Sequence, residues 1–252
     1  MTEVRLETQA LSRHFGALRA VQDINFKLGA GARHALIGPN GAGKTTFVNL
    51  LTGVISPTGG RVLLAGQDIT AKAQAERVKL GIARTFQTNR LFRGLSVLEN
   101  VCIPVAERLG AASSMVYPAG WRTDVIEESM QLLETLRLAA AARHRVSELP
   151  YGRQRLVELA IAIGLKPAVL LLDEPAAGVP SAESHIILDA IERLPQDIAV
   201  LIIEHDMDVV FRFAKRVTVM VGGAVFAEGT PREIEANQEV RAVYLGQRAD
   251  HA

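Results

Sequence analysis

Residues Gly38-Pro39-Asn40-Gly41-Ala42-Gly43-Lys44-Thr45-Thr46 follow the spacing G-x-x-x-x-G-K-[ST]. Glycines at that spacing let the backbone turn tightly and aim successive N–H groups inward, a lining suited to phosphate oxygens. A short buried strand expected over residues 32–37 precedes the loop and a helical pattern over 44–52 follows it, so the positive end of a helix adds to the anion site. Lys44 is then the expected charge on the β- and γ-phosphates of a nucleoside triphosphate, and Thr45 the expected hydroxyl ligand of Mg²⁺.

A second set of chemical groups closes another apolar run. Residues 169–172 are Val-Leu-Leu-Leu, followed by Asp173 and Glu174. The strand they form is expected beside the strand that enters the phosphate loop, since ligands of such sheets gather at the carboxyl ends of strands. From there Asp173 would reach Mg²⁺, and Glu174 would polarise a water for in-line attack on the γ-phosphate.

These groups need a scaffold, and the composition permits a large one. The chain has 252 residues and is 48% hydrophobic, enough to bury a substantial core without metal or disulfide staples. Cys102 is the single cysteine, which excludes an intrachain disulfide and fits a reducing compartment. The longest apolar run, residues 198–203, is far short of the roughly 20 residues a membrane-spanning helix needs. Residues 1–10 lack the apolar core of a signal peptide. A formal net charge of +1 argues against a polyanion-binding surface, so no nucleic-acid partner is expected.

The patterns place strands at 4–10, 23–28, 32–37, 61–65 and 81–86, and a helix at 44–52 ending at Gly53. From 95 to about 165 helical patterns dominate, with a helix including Glu127–Leu136, a loop tip at 118–120 and a helical run over 155–165. Buried strands then return at 168–172 and 198–203, each followed by a helix (181–194 and 207–214). A closing hairpin joins 217–221 to 224–227 around Gly222-Gly223. The expected fold is α/β: a phosphate-loop NTPase core (1–94 and 166–252) with an N-terminal antiparallel β subdomain, carrying a helical subdomain at 95–165.

Read together, the motifs and their order resemble the ATP-binding cassette of ABC transporters over nearly the whole chain. Between the two nucleotide motifs, Leu149-Pro150-Tyr151-Gly152-Arg153-Gln154 resembles an altered ABC signature. Ala83-Arg84-Thr85-Phe86-Gln87 resembles the strand ending in the Q-loop glutamine, and Ile202-Ile203-Glu204-His205-Asp206 the strand ending in the switch histidine. Phe15 stands where the family stacks an aromatic ring on adenine. The resemblance implies ATP and Mg²⁺ as cofactors. It implies that His205 donates to the γ-phosphate and that Gln87 helps hold Mg²⁺ and the attacking water. It further implies a head-to-tail dimer in which the signature residues 150–154 of one cassette cover the ATP held by the other, so that ATP favours closure.

Residues 84–92 and 95–101, the stretch Glu174-Pro175-Ala176-Ala177-Gly178 and the closing Val243-Tyr244-Leu245-Gly246 resemble the branch that drives uptake of branched-chain amino acids, with relatives serving urea, amides and other neutral amino acids. The implied partners are a second cassette, membrane permease subunits and, indirectly, an external substrate-binding protein. The implied place is the cytoplasmic face of the cell membrane. The segment 88–100, with Leu91, Phe92, Leu95 and Val97 beside Arg90 and Arg93, is where a permease helix would dock. A soluble cassette acting on a macromolecular complex is the alternative, and one phosphate loop without sustained heptads speaks against it.

Two departures stand out. Pro150 occupies the usual signature serine position and offers neither a hydroxyl nor an N–H. Gly178-Val179-Pro180-Ser181 lacks the aspartate usual in that loop. The phosphate-loop half is complete while the half offered to a partner is altered, which suggests a heterodimer with unequal sites.

Overall fold

Two hydrophobic patterns produce two kinds of strand. The computed structural model describes residues 3–85, 91–111, 122–179 and 181–249, of which 181–184 and 244–249 by backbone only. In β1 (Val4–Phe15) and β2 (Leu18–Gly29) burial largely alternates, with Leu6, Thr8, Ile24, Phe26 and Leu28 turned inward. Such strands cover a core with one face. In β3 (Arg33–Ile37) every residue is buried, as a strand covered on both faces requires.

The chain then runs through α1 (Lys44–Thr52), β4 (Gly59–Leu64), β5 (Gln67–Asp68), α2 (Gln74–Lys79) and β6 (Ile82–Arg84). After α3 (Val97–Arg108), α4 (Thr123–Thr135) and α5 (Tyr151–Gly164) come β7 (Val169–Asp173), α6 (Ser181–Glu192), β8 (Ala199–Ile203) and α7 (Met207–Phe213). The hairpin β9 (Arg216–Val221) and β10 (Ala224–Gly229), then α8 (Pro231–Ala236) and α9 (Gln238–Ala249), close it. Among the described residues the strands form an antiparallel sheet, β2-β1-β4-β5, and a six-stranded sheet, β10-β9-β3-β8-β7-β6.

The order of the larger sheet corrects one expectation. β7, which ends in Asp173, is not beside β3: β8 lies between them, parallel to both, with Leu36 opposite Ile203 and Ile203 opposite Asp173. β7 and β8 are both fully buried five-residue strands that open on four apolar residues, so hydropathy alone could not rank them. The helical run expected over 155–165 also begins earlier, at Tyr151, which puts the signature residues on its first turn.

Contacts group the chain into two compact units: 1–82, 168–174 and 195–252 in one, and 83–167 with 175–194 in the other. The second unit therefore interrupts the first twice in sequence, on either side of β7. The helical subdomain expected at 95–165 from its helical patterns lies within the second unit, and its bounds as a functional subdomain are a proposal.

In the first unit α1 is central. Phe47 of α1 meets Phe26 of β2 edge-on, ring centroids 5.7 Å apart. Phe26 in turn meets His34 of β3 at 5.0 Å. Burial holds the His34 imidazole down to about 4, so it stays neutral in this core, with a 2.8 Å hydrogen bond to the Thr218 hydroxyl. At its far end α1 stops at Gly53, which is left-handed (φ 75°). There Arg77, only 1% exposed, donates to the carbonyls of Leu50 (2.6 Å), Leu51 (2.9 Å), Thr70 (2.9 Å) and Lys72 (3.0 Å). A buried guanidinium with five fixed donors satisfies the orphan carbonyls of a helix end and places positive charge at the negative pole of the helix.

In the second unit, α3 begins with a capping box: the Ser96 hydroxyl accepts from the Glu99 N–H, and the Glu99 carboxylate accepts from the Ser96 N–H. Val105, Ala106, Ala111 and Val125 form a small core between α3 and α4. Arg108 ties α3 to the end of α5 through the Gly164 carbonyl at 3.0 Å, and to α4 through Glu128 at 2.5 Å. The loop tip at 118–120, with Tyr117 and Trp121, lies outside the described residues.

Because Arg77 closes the end of α1, replacing it should be costly. Arg77→Met is expected to lower unfolding free energy by about 3 kcal/mol, since the stem is kept but buried carbonyls lose their donors. The urea midpoint measures this, and Arg77→Lys should recover part of it; a Met variant as stable as the parent overturns the assignment.

Candidate functional site

The phosphate loop leaves β3 where a side chain has no room. At Gly38 (φ 152°) an added Cβ would lie 2.2 Å from the Met220 carbonyl oxygen. At Gly43 (φ 94°) it would lie 2.3 Å from the Ala20 carbonyl oxygen. These are backbone atoms that cannot swing aside, so the loop can pass only as glycine. The hairpin turn at Gly222-Gly223 fastens it further: Gly223 N–H donates to the Ala42 carbonyl at 3.0 Å, and Gln22 N–H to the Gly223 carbonyl at 2.7 Å.

Pro39 and Ala42 are buried, while Asn40, Gly41 and Thr45 are exposed and Lys44 and Thr46 half-buried. α1 opens from Gly43 with no side-chain cap and no acidic residue in its first turn. Its first amides and positive pole are thus free of a competing carboxylate, which suits an anion. Lys44 Nζ donates to the carbonyls of Gly38 (2.5 Å) and Pro39 (3.0 Å), arching over the loop. Burial pulls its ammonium below the usual lysine range, and the Glu174 and Asp173 carboxylates oppose that pull.

Three parallel strands deliver the remaining groups to one edge of the sheet. β3 ends at Ile37 before the loop, β8 at Ile203 before Glu204 and His205, and β7 at Asp173. Asp173 is buried. Glu174 takes a left-handed conformation, φ 45°, and its N–H donates to the Ile203 carbonyl at 2.9 Å. Left-handed backbone costs a residue with a Cβ on the order of 1 kcal/mol, and such strain collects at functional sites. The conformation brings Glu174 Oε1 to 3.4 Å from His205 Nδ1.

Phe15 ends β1 in a tight hairpin with Leu18, its ring exposed and one face covered by Arg13, whose Cζ lies 4.6 Å from the ring centroid. Ala20, which touches Gly43, is two residues along β2, about 7 Å of strand. The hairpin therefore carries Phe15 to the neighbourhood of the loop.

The signature residues lie in the second unit. Pro150 is the N-cap of α5 and supplies no side-chain cap. Tyr151 and Arg153 are exposed, Gly152 and Gln154 buried. Gln154 Nε2 donates to the Leu149 carbonyl at 2.8 Å. Arg155 lies over the Tyr151 ring at 5.1 Å and pairs with Glu158 at 2.8 Å. Gly178, left-handed at φ 73°, leaves room for Tyr151: an added Cβ would meet its ring at 3.3 Å.

Of the residues singled out by sequence, Lys44, Asp173, Glu174 and His205 come together at one sheet edge. Gln87 lies outside the described residues, as do Phe86 and Arg90. Sequence reasoning passed over Glu204. It is 3% exposed, and its Oε2 accepts from the His205 N–H at 3.3 Å. Burial pushes its carboxyl up to about 7 against the opposing pull of the His205 and Asp206 amides. The available signal was a carboxylate directly following five apolar strand residues.

Comparison with known proteins adds an independent observation. A family model described as ABC transporter matches residues 21–177, and one described as branched-chain amino acid ATP-binding cassette transporter matches 224–250. The high-affinity branched-chain amino acid transport ATP-binding protein LivG of Escherichia coli is 36% identical, over 98% of this chain and 100% of that protein. BraF of Pseudomonas aeruginosa, of the same description, is also 36% identical over 98% and 100%. The crystal structure of the ADP conformation of an ATP-binding cassette of an ABC transporter superposes with a TM-score of 0.85 at 30% identity, covering 97% of this chain and 100% of the other.

The glycine clearances lead to a direct expectation. Gly43→Ala should weaken nucleotide binding at least tenfold, because the Ala20 carbonyl must be displaced and the loop with it. Gly41→Ala, which meets no atom within 4 Å although its φ is 77°, should do less harm. Titration with a fluorescent ATP analogue reads both; equal affinity for Gly43→Ala and the parent contradicts the clamp.

Proposed function

The chain belongs to the ABC transporter family of ATP-binding proteins, and from that premise we propose that it is the ATP-hydrolysing subunit of a membrane importer of branched-chain or related neutral amino acids or amides. One observation carries the reading at the site: Lys44, Asp173, Glu174 and His205 share the edge where the phosphate loop opens. The LivG and BraF proteins, matched along their whole length, are named for branched-chain amino acid transport, which supports the substrate class. The same names speak against a non-transport cassette.

In this reading the loop amides and Lys44 hold the β- and γ-phosphates, Lys44 exchanging the carbonyls of Gly38 and Pro39 for phosphate oxygens. Phe15, backed by Arg13, offers its open face to the adenine ring. Glu174 accepts a proton from the attacking water, and His205 donates to the γ-phosphate. The donor set fits Mg²⁺: the Thr45 hydroxyl and Asp173 carboxylate are hard oxygen ligands, and the pull of the Asp173 carboxylate on the Lys44 ammonium supports its nearness to the loop. Thr45, Asp173 and Gln87 would hold the ion, which when bound neutralises charge on the β- and γ-oxygens.

The assembly follows from the family. A second cassette supplies its signature across the nucleotide, permease subunits hold this chain at the cytoplasmic face of the cell membrane, and an external binding protein selects the substrate. Among the described residues no helix is long and apolar enough to cross a membrane. Phe92, 58% exposed, and Leu95 offer the permease an apolar contact, while Val97 is buried. Asn100 holds the Phe92 backbone in place, accepting from its N–H at 3.0 Å and donating to its carbonyl at 3.1 Å. Pro150 removes the signature hydroxyl, so the partner's ATP is served less well than this chain's own, and a heterodimer is the favoured assembly.

Two measurements test this. Glu174→Gln should cut steady-state ATP turnover about 100-fold or more while leaving ATP affinity within threefold, the range for loss of a general base; unchanged turnover refutes the role. Pro150→Ser should raise the turnover of the homodimer severalfold. A homodimer already matching the hetero-assembly and indifferent to that substitution would remove the case for unequal sites.

A further inference from the structure

Beyond these roles lies Glu204, among the described residues the buried carboxyl at the site edge with no task assigned. It follows the last residue of β8, and its own N–H reaches the Leu36 carbonyl of β3 at 3.4 Å. Its side chain turns back over the next peptides. Oε2 accepts from the His205 N–H at 3.3 Å and lies 4.0 Å from His205 Nδ1. Oε1 is buried with no hydrogen-bond partner among the described residues. The His205 side chain, by contrast, is 67% exposed, and Asp206 caps the start of α7 by accepting from the Asp208 N–H at 2.9 Å.

An exposed imidazole on a strand-to-helix turn has rotational freedom to lose before it can meet a phosphate. Here the ring edge bearing Nδ1 faces two carboxyl groups, Glu174 at 3.4 Å and Glu204 at 4.0 Å. A histidine nitrogen engaged on one side leaves the other nitrogen to act. We propose that Glu204 is a positioning residue for His205: it holds the turn through the His205 amide and, with Glu174, brackets Nδ1, so that Nε2 is presented to the γ-phosphate. The inference rests on the reading of His205 as the γ-phosphate donor. Burial gives the clamp its stiffness, since a carboxyl enclosed at 3% exposure cannot leave its partner for water at little cost. The raised affinity of this carboxyl for protons marks the same confinement.

The role requires an acceptor rather than a charge. Glu204→Gln, which keeps an oxygen for the His205 amide, should hold kcat for ATP hydrolysis within about threefold of the parent. Glu204→Leu should lower kcat about tenfold with KM for ATP within twofold, because only the geometry of the reacting step is lost. Combining Glu204→Leu with His205→Ala should add nothing to His205→Ala alone, whereas a merely structural defect would still add its own loss. If Glu204→Leu fails to fold, Glu204→Ala, which also removes the acceptor, takes its place in all three comparisons.

Three results overturn the proposal: wild-type kcat in Glu204→Leu, a Gln variant as slow as the Leu variant, or a full additional loss in the double variant. Failure of the parent reading looks different. There His205→Ala itself leaves kcat unchanged, and the positioning role falls with it.

Discussion

The nucleotide end of this protein depends on one short helix being held at both poles. α1 is nine residues long, too short to persist alone, and its first-turn amides must point at a fixed place to bind phosphate. At its start the chain approaches the carbonyls of Met220 and Ala20 so closely that only hydrogen fits. At its end Arg77 gathers four carbonyls and brings a buried positive charge to the negative pole. Between the poles Phe47 anchors the barrel of the helix against Phe26. Each contact comes from a different element, so the position of the phosphate amides is a property of the whole first unit.

The groups read as reacting with nucleotide are arranged by the sheet rather than by the loop. β3, β8 and β7 run parallel and in register, and each ends where a functional residue begins. With β8 between the other two, the turn that carries His205 leaves the sheet between the phosphate loop and Glu174. The left-handed Glu174 and the buried Glu204 are costly features next to each other. Their costs fall on the two residues flanking His205 in space and in sequence, where strain and burial restrict motion most.

Much of this was legible in the residues. The spacing of Gly38, Gly43, Lys44 and Thr45 dictates a phosphate cradle, and the helix from 44 to 52 with its stop at Gly53 followed from periodicity. The hairpin around Gly222-Gly223 was visible as two apolar runs split by glycines, and its strands pair antiparallel. What stayed hidden was relational. Arg77 reads as one more surface cation in α2, because nothing local to it says that the end of α1 is within reach. Glu204 reads as a polar residue leaving a strand, because its burial comes from neighbours distant in sequence. Strand order was hidden for a simpler reason: Val169–Asp173 and Ala199–Ile203 are both five-residue buried strands that open on four apolar residues.

The sequence by itself determined the chemistry and its order along the chain: a phosphate loop, a carboxylate pair, a histidine, and an altered signature with proline in place of a hydroxyl. Those are matters of residue type and spacing, which local sterics and side-chain chemistry suffice to interpret. Only the tertiary structure decided which strand stands between which, that Arg77 closes the end of α1, and that the Glu174 and Glu204 carboxyl groups both face His205. The reason is physical: burial, register and close approach arise between segments that no local pattern links, such as Arg77 and Leu50 or Leu36 and Ile203.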